Sequence, residues 1–253
     1  MAPVEGVRTV VLPGGVHAAW SDASRGDLRP GGDGPGDGPA LATLAGAVTA
    51  ASGAVVATVV RPHQVHGADV LDVPTGPHPH LRHGSPLPEL APAGAADAVV
   101  GDGTGVALCV LTADCGALAL ASPEGVFAAV HAGWRGLLAG VVEAAVDRMR
   151  ARGATDVVGA LGPCIHAGCY EFSGADLDAV AAVYGDAVRA TTSEGRPALD
   201  VPAGIAAALA RADARPVAGV DVCTACGDGY FSHRARRDTG RQALLVWSVG
   251  EAA

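Results

Sequence analysis

The 253-residue chain has no lysine; all 17 of its basic residues are arginine. Two function classes fall with that absence. A Walker A loop needs a lysine to reach the phosphates, and a pyridoxal enzyme needs one for its Schiff base. Asparagine is also missing, beside 36 glycines and abundant alanine, which reads as the bias of a GC-rich coding sequence. No histidine is followed two residues later by glutamate, and PCIHAGC (163–169) is not PCxxC, so the zinc nucleobase deaminase signature is absent. A GxSxG nucleophile elbow is absent too. No apolar run of about 18 residues is free of turn residues and charges, so no membrane span is expected. The N-terminus, MAPVEGVRTVVLPGG, lacks a charged region followed by a long apolar one. A cytoplasmic protein without a signal peptide is therefore expected. Net charge is −9 and the arginines are scattered, which argues against a nucleic-acid-binding surface.

What is present is core material. Apolar residues make up 49% of the chain. The length allows one large domain or two small ones, and the chain reads as a single domain over 1–253. Two Gly/Pro-rich stretches, 26–39 and 74–94, are expected to be mobile loops. The second carries His78, His80 and His83, a tract that can bind metal but whose plainer reading is a solvated loop. Strands are expected at 54–60, 98–100, 106–112, 117–121, 126–130, 156–161, 217–222 and 243–249. Helices are expected at 40–52, 137–152, 175–184 and 201–213, with Ser173 and Asp200 as caps. Many strands joined by short turns, with fewer helices, predict an α+β fold of mixed β-sheets flanked by helices.

Three stretches place a metal-capable residue beside a strand end: RPHQVHGADV (61–70), LTADCGALAL (111–120) and VHAGWRG (130–136). They offer His66, Cys115 and His131. One thiolate and two imidazoles suit zinc and also copper, and three protein ligands leave a fourth position open for catalysis. Asp114 is a candidate to hold a ligand histidine from behind. Gly133 and Gly136 would permit close backbone approach. Cys115 and His131 equally suit a nucleophilic Cys–His pair, with His66 as a third group. Six cysteines without an export signal favour free thiols. The CTAC turn (223–226) and Cys164, His166 and Cys169 offer a rival structural zinc site, against the plainer reading of buried small apolar residues. These four cysteines are expected to be dispensable for turnover.

QVHG, TADC, AVHAGWRG, GPCI…CYEF and the late FSHR…TGR occur in one order across roughly residues 54–249. In these motifs the chain resembles the multicopper polyphenol oxidase or laccase-domain family, also called the peptidoglycan-editing-factor family. The resemblance implies a metal on His66, Cys115 and His131, and a fold related to the necrotizing-factor class of cysteine hydrolases. It also implies phosphorolysis of adenosine, inosine and methylthioadenosine, with adenosine deamination. Some members are instead described as amidases that remove serine from a cytoplasmic peptidoglycan precursor, which would make Cys115 the nucleophile and His131 its base. A laccase needs several copper centres with many histidines, and the motifs here supply ligands for one metal. The chain departs from the family pattern after TADC, where Gly116-Ala117 follows, and in SHRARRDTGR, which carries an apparent insertion.

The expected enzyme is a zinc- or copper-dependent purine nucleoside phosphorylase, taking a nucleoside and phosphate. Arg61, Arg135 and Arg234 lie in or beside the motifs and are the expected phosphate and substrate contacts. Tyr170 or Phe231 could stack on the base. A polyphenol oxidase and a non-enzymatic metal-binding protein stand as further alternatives.

Overall fold

The computed structural model describes residues 2–29, 37–74 and 89–250. His78, His80 and His83, and parts of both expected loops, lie outside them. Among the described residues fourteen strands and six α-helices follow in this order. The first half contains β1 (Val7–Leu12), β2 (Val16–Ser21), α1 (Asp37–Ala51), β3 (Thr58–His63), β4 (Val70–Asp72), β5 (Glu89–Ala95), β6 (Ala98–Asp102), β7 (Val106–Thr112), β8 (Gly116–Ala121) and β9 (Val126–Ala132). The second half contains α2 (Trp134–Ala139), α3 (Val141–Ala151), β10 (Val158–Leu161), α4 (Ala175–Tyr184), β11 (Arg189–Thr191), β12 (Pro197–Leu199), α5 (Val201–Arg211), β13 (Arg215–Val217), α6 (His233–Arg236) and β14 (Gln242–Ser248).

Two six-stranded mixed sheets carry the fold, in the orders β1-β2-β14-β7-β3-β5 and β13-β10-β8-β9-β6-β4. Their inner faces pack on each other. Trp20, Leu108, Val110, Leu244 and Val246 of the first sheet meet Ala117, Ala119, Phe127 and Ala129 of the second. The period of two then decides the outer faces. Leu118, Leu120, Ala128 and Val130 turn outward to pack under α2, α3, α4 and α5. Ala107, Cys109, Leu245 and Trp247 turn outward under α1. The result is a layered helix–sheet–sheet–helix sandwich, and the expected α+β class holds. It explains why β7, β8 and β9 are apolar without alternation: every residue in them apart from the polar ends has a neighbour layer on its side.

Several boundaries differ from expectation for identifiable reasons. The helix expected at 137–152 is two helices, because Gly140 adopts φ 85° and its N–H closes on the carbonyls of Gly136 and Leu137. Asp200 caps α5, accepting from the Ala203 N–H at 2.9 Å. Ser173 does not cap α4; Gly174 holds that position. The hairpin β1–β2 was not foreseen, although PGG at 13–15 is its turn and Gly14 and Gly15 have φ of 68° and 67°. Part of the second expected loop is a strand, since β5 pairs in parallel with β3 despite Pro92. At that sheet edge a proline removes no needed hydrogen bond. The strand expected at 217–222 ends at Val217, and the rest of that segment runs beside β10, where the Val220 N–H reaches the Leu161 carbonyl at 2.9 Å.

Close packing also dictates a motif glycine. A Cβ on Gly162 would overlap the indole of Trp20, which is 2% exposed and donates its Nε1–H to the Ala117 carbonyl at 3.0 Å. Gly162→Ala is expected to lower stability by about 1–3 kcal/mol, the usual cost of overpacking a rigid core. Equilibrium denaturation checks it; an unchanged midpoint would mean that Trp20 moves aside without cost.

Candidate metal and anion site

β7 and β9 end, and β8 begins, beside the loop that follows β3. Gln64 anchors this loop: its amide donates to the Leu111 carbonyl and accepts from the Leu111 N–H, both at 2.8 Å. The chain then turns sharply at His66, which adopts φ 61° in the left-handed region. That turn points three successive N–H groups at one carboxylate. Asp97 accepts from Val65 at 3.2 Å, His66 at 2.9 Å and Gly67 at 2.6 Å.

The same buried Asp97 pairs with Nδ1 of His131 at 2.7 Å. The carboxylate can only accept, so Nδ1 carries the proton and Nε2 is left for whatever lies opposite. Opposite is Cys115. His66, Cys115 and His131 come together with their ligand atoms within 4.8 Å of one another, and the two imidazoles meet edge to face at 4.8 Å between centroids. His131 is buried, Cys115 half-buried and His66 exposed, so the group opens to solvent on one side. Gly133 caps α2 beside it, and a Cβ there would lie 3.1 Å from both Cys115 Sγ and His66 Cδ2.

The electrostatics are those of a thiolate–imidazole pair. Burial opposes ionisation of Cys115, but the charge and hydrogen bond of His131, then those of His66, outweigh it and pull the thiol down. Burial also opposes charge on His131, and the Cys115 thiolate and the Asp97 carboxylate together push it up. Asp97 is lowered against its own burial, first by His131 and then by the N–H groups of Gly67 and His66.

One expectation about a supporting group changes here. Asp114 does not hold a ligand histidine. It adopts φ 94° at the turn before Cys115, and its oxygens accept from Thr224 Oγ1 at 2.7 Å and from the Arg234 N–H at 2.6 Å. Asp97 does that work instead. It stands in AGAADAVV, where nothing local marks it out; only strand pairing brings β6 beside β9.

Above the trio lies a cavity of about 520 Å³, a size suited to a small-molecule ligand. Arg61, Arg135 and Arg234 all line it, joined by Arg29, Arg241, His63 and His233, which the sequence reading missed. Arg135 in α2 lies 4.2 Å over the Trp134 ring. Arg234 lies 4.7 Å over the Tyr170 ring and donates to the Glu171 carbonyl at 3.0 Å. Tyr170 lines the cavity; Phe231 is absent from its lining. Among the described residues Asp114 is the one carboxylate in that lining. A protein of net charge −9 thus concentrates positive charge in its cleft, which favours an anionic ligand.

The rival site rearranges. Cys169, Cys223 and Cys226 gather, while buried Cys164, whose backbone bridges to Cys223, and His166 are outside the group. Cys226 is exposed and Cys169 half-buried, so only Cys164 and Cys223 fit the reading as buried apolar residues. No helix among the described residues is long and apolar enough to cross a membrane.

Known proteins share this sequence and fold. The family model described as multi-copper polyphenol oxidoreductase laccase matches residues 35–249. A purine nucleoside phosphorylase of Streptomyces coelicolor is 43% identical over 218 residues, covering 84% of each chain. The purine nucleoside phosphorylase YfiH of Escherichia coli is 33% identical over 189 residues, covering 74% of this chain and 72% of its own. A crystal structure of a Neisseria meningitidis protein aligns with TM-score 0.73 at 27% identity, covering 97% of this chain and 100% of that one.

Proposed function

The chain belongs to the multi-copper polyphenol oxidoreductase laccase family, and from that premise we propose that it is a metal-dependent purine nucleoside phosphorylase. Its proposed substrates are adenosine, inosine and methylthioadenosine, with adenosine deamination as a second activity. The observation that carries the reading is one cavity with a Cys–His–His trio at its base and arginines around it. The names of the Streptomyces and Escherichia relatives point the same way.

The trio fits a metal ion on its own chemistry. Cys115 supplies a soft thiolate, His131 presents Nε2 because Asp97 takes Nδ1, and His66 closes the set on the open side. This donor set suits zinc first and copper second, and we take zinc. A bound ion supplies a Lewis acid and, for deamination, lowers the pKa of water.

The chain's own residues do the rest. Arg61, Arg135 and Arg234 bind phosphate and aim an oxygen at the anomeric carbon of the sugar. Attack by hydrogen phosphate forms the C–O bond and breaks the glycosidic C–N bond, giving the sugar 1-phosphate (ribose 1-phosphate from adenosine or inosine) and the free purine, which takes up the phosphate's proton. Tyr170, steadied by Arg234, gives the base a flat surface.

Inosine should therefore yield hypoxanthine only when phosphate is present, and release without phosphate rejects phosphorolysis. Arg135→Gln should raise the phosphate requirement about ten- to a hundred-fold, the worth of one charge-assisted contact, while the metal stays bound. Initial rates against phosphate concentration decide it; an unchanged dependence removes Arg135 from the phosphate site.

One observation favours a second reading. Cys115, His131 and Asp97 also have the order of a thiol, base and orienting carboxylate, as an amidase acting on a peptidoglycan precursor requires. Assaying released base and released amino acid on one sample, with and without chelator, separates the two.

A further inference from the structure

The trithiol group stands apart from the cavity trio and has no part in the proposed reaction. Cys169 closes a short turn at 167–169. Cys223 and Cys226 flank the CTAC turn, which is stitched to the chain beside Cys169: Thr224 N–H reaches the Cys164 carbonyl at 3.0 Å, and Cys164 N–H reaches the Val222 carbonyl at 3.2 Å. The three sulfurs lie within 4.8 Å of one another and none is in a disulfide. Cys223 Sγ already accepts the His166 N–H at 3.4 Å, a contact that suits a thiolate.

A disulfide would join two of these sulfurs and strand the third. A tetrahedral zinc ion, with bonds of about 2.3 Å, holds its sulfurs ~3.8 Å apart and uses all three. CxxC is half of a common zinc-site pattern, and a third cysteine from another segment makes the crosslink. Cys226 is exposed, so the three thiols can be reached from solvent.

The surroundings give such an ion a task. Tyr170 follows Cys169 and carries Arg234 on its ring at 4.7 Å. Thr224, inside the CTAC turn, donates to Asp114 at 2.7 Å, and Asp114 accepts the Arg234 N–H. Arg236 donates to the Ala225 carbonyl at 2.9 Å and the Thr224 carbonyl at 3.2 Å. Two loops that meet at the three sulfurs thus support the side of the cavity that Asp114, Tyr170 and Arg234 line.

We propose that Cys169, Cys223 and Cys226 form a second metal site, for zinc, which ties the Tyr170 loop to the CTAC turn and so holds the Arg234 wall of the cavity. Binding exchanges thiol protons for the ion and involves no change of oxidation state.

The test uses the full chain, reduced and stripped of metal, carrying His66→Ala/His131→Ala so that the first site is disabled. Co²⁺ should give thiolate-to-metal absorption in this background, and Zn²⁺ should displace it and raise the Tm. Adding Cys169→Ser/Cys226→Ser should remove both signals. Absence of both in the first background, or their survival in the second, overturns the proposal. So does a Cys223–Cys226 disulfide that forms in air, if the reduced protein takes up no metal. The unsubstituted protein offers a check free of folding defects. Zn²⁺ should protect Cys169 and Cys226 from alkylation at least tenfold, read by peptide mass, and equal alkylation rates reject the site.

Discussion

Replacing His66 and His131 together by alanine is expected to abolish the proposed phosphorolysis and to remove the metal proposed for the cavity. Two of the three donors disappear, and a lone Cys115 thiolate cannot hold an ion against water and chelators. Losing a Lewis acid that stabilises transition-state charge costs several kcal/mol, or at least about a thousandfold in rate. His66→Ala alone should spare folding, since His66 is exposed and Asp97 holds it through its backbone N–H; His131→Ala leaves buried Asp97 without its imidazole partner and should lower stability as well. Rates and elemental analysis on the same preparation decide it. Because a second site is proposed, metal content should fall by about one equivalent per chain without reaching zero. Undiminished metal with undiminished rate would remove the trio from the mechanism.

Asp97→Ala should be the most damaging single change to stability near the site. Asp97 is fully buried and satisfies His131 Nδ1 and the N–H groups of Val65, His66 and Gly67. Alanine would strand all four donors at once. Removing one partner of a buried, hydrogen-bonded pair costs about 3–5 kcal/mol. The left-handed turn at His66 depends on the same carboxylate, so the turn should loosen as well. Asp97→Asn separates the roles: it keeps the shape and loses acceptor capacity. Changes to a carboxylate that orients a metal-binding imidazole reduce metal affinity or activity by about 10–100-fold. Chemical denaturation of both variants, with metal titration of the second, measures the two effects. Wild-type stability in Asp97→Ala would mean that the loop is held by Gln64 alone.

Local chemistry was enough to single out most residues of the candidate site. QVHG, TADC and HAGWRG each carry a ligand-type residue beside an apolar run, and Arg61, Arg135 and Arg234 sit in or next to motifs. All of these residues reach one cavity. The central strands were equally legible, because β7, β8 and β9 are short continuous apolar runs bounded by turn residues. The edges were not. β1 alternates weakly and β5 contains proline, and edge strands owe their form to a neighbour's hydrogen bonds more than to their own composition.

The sequence by itself determined which residue types could do the chemistry, which cofactor classes a lysine-free chain cannot use, and where the apolar core strands run. It could not decide which carboxylate serves His131. Asp114 adjoins Cys115 and was the natural choice, yet Asp97, 34 residues before His131, makes the contact. Only the pairing of β6 with β9 brings it there. The same holds for Cys169 joining Cys223 and Cys226 while Cys164 stays out, and for Arg29 and Arg241 entering the cavity. Motifs report chemistry carried within a few residues. A site at the junction of two sheets is assembled by register, and register is a property of strand pairs that no single segment contains.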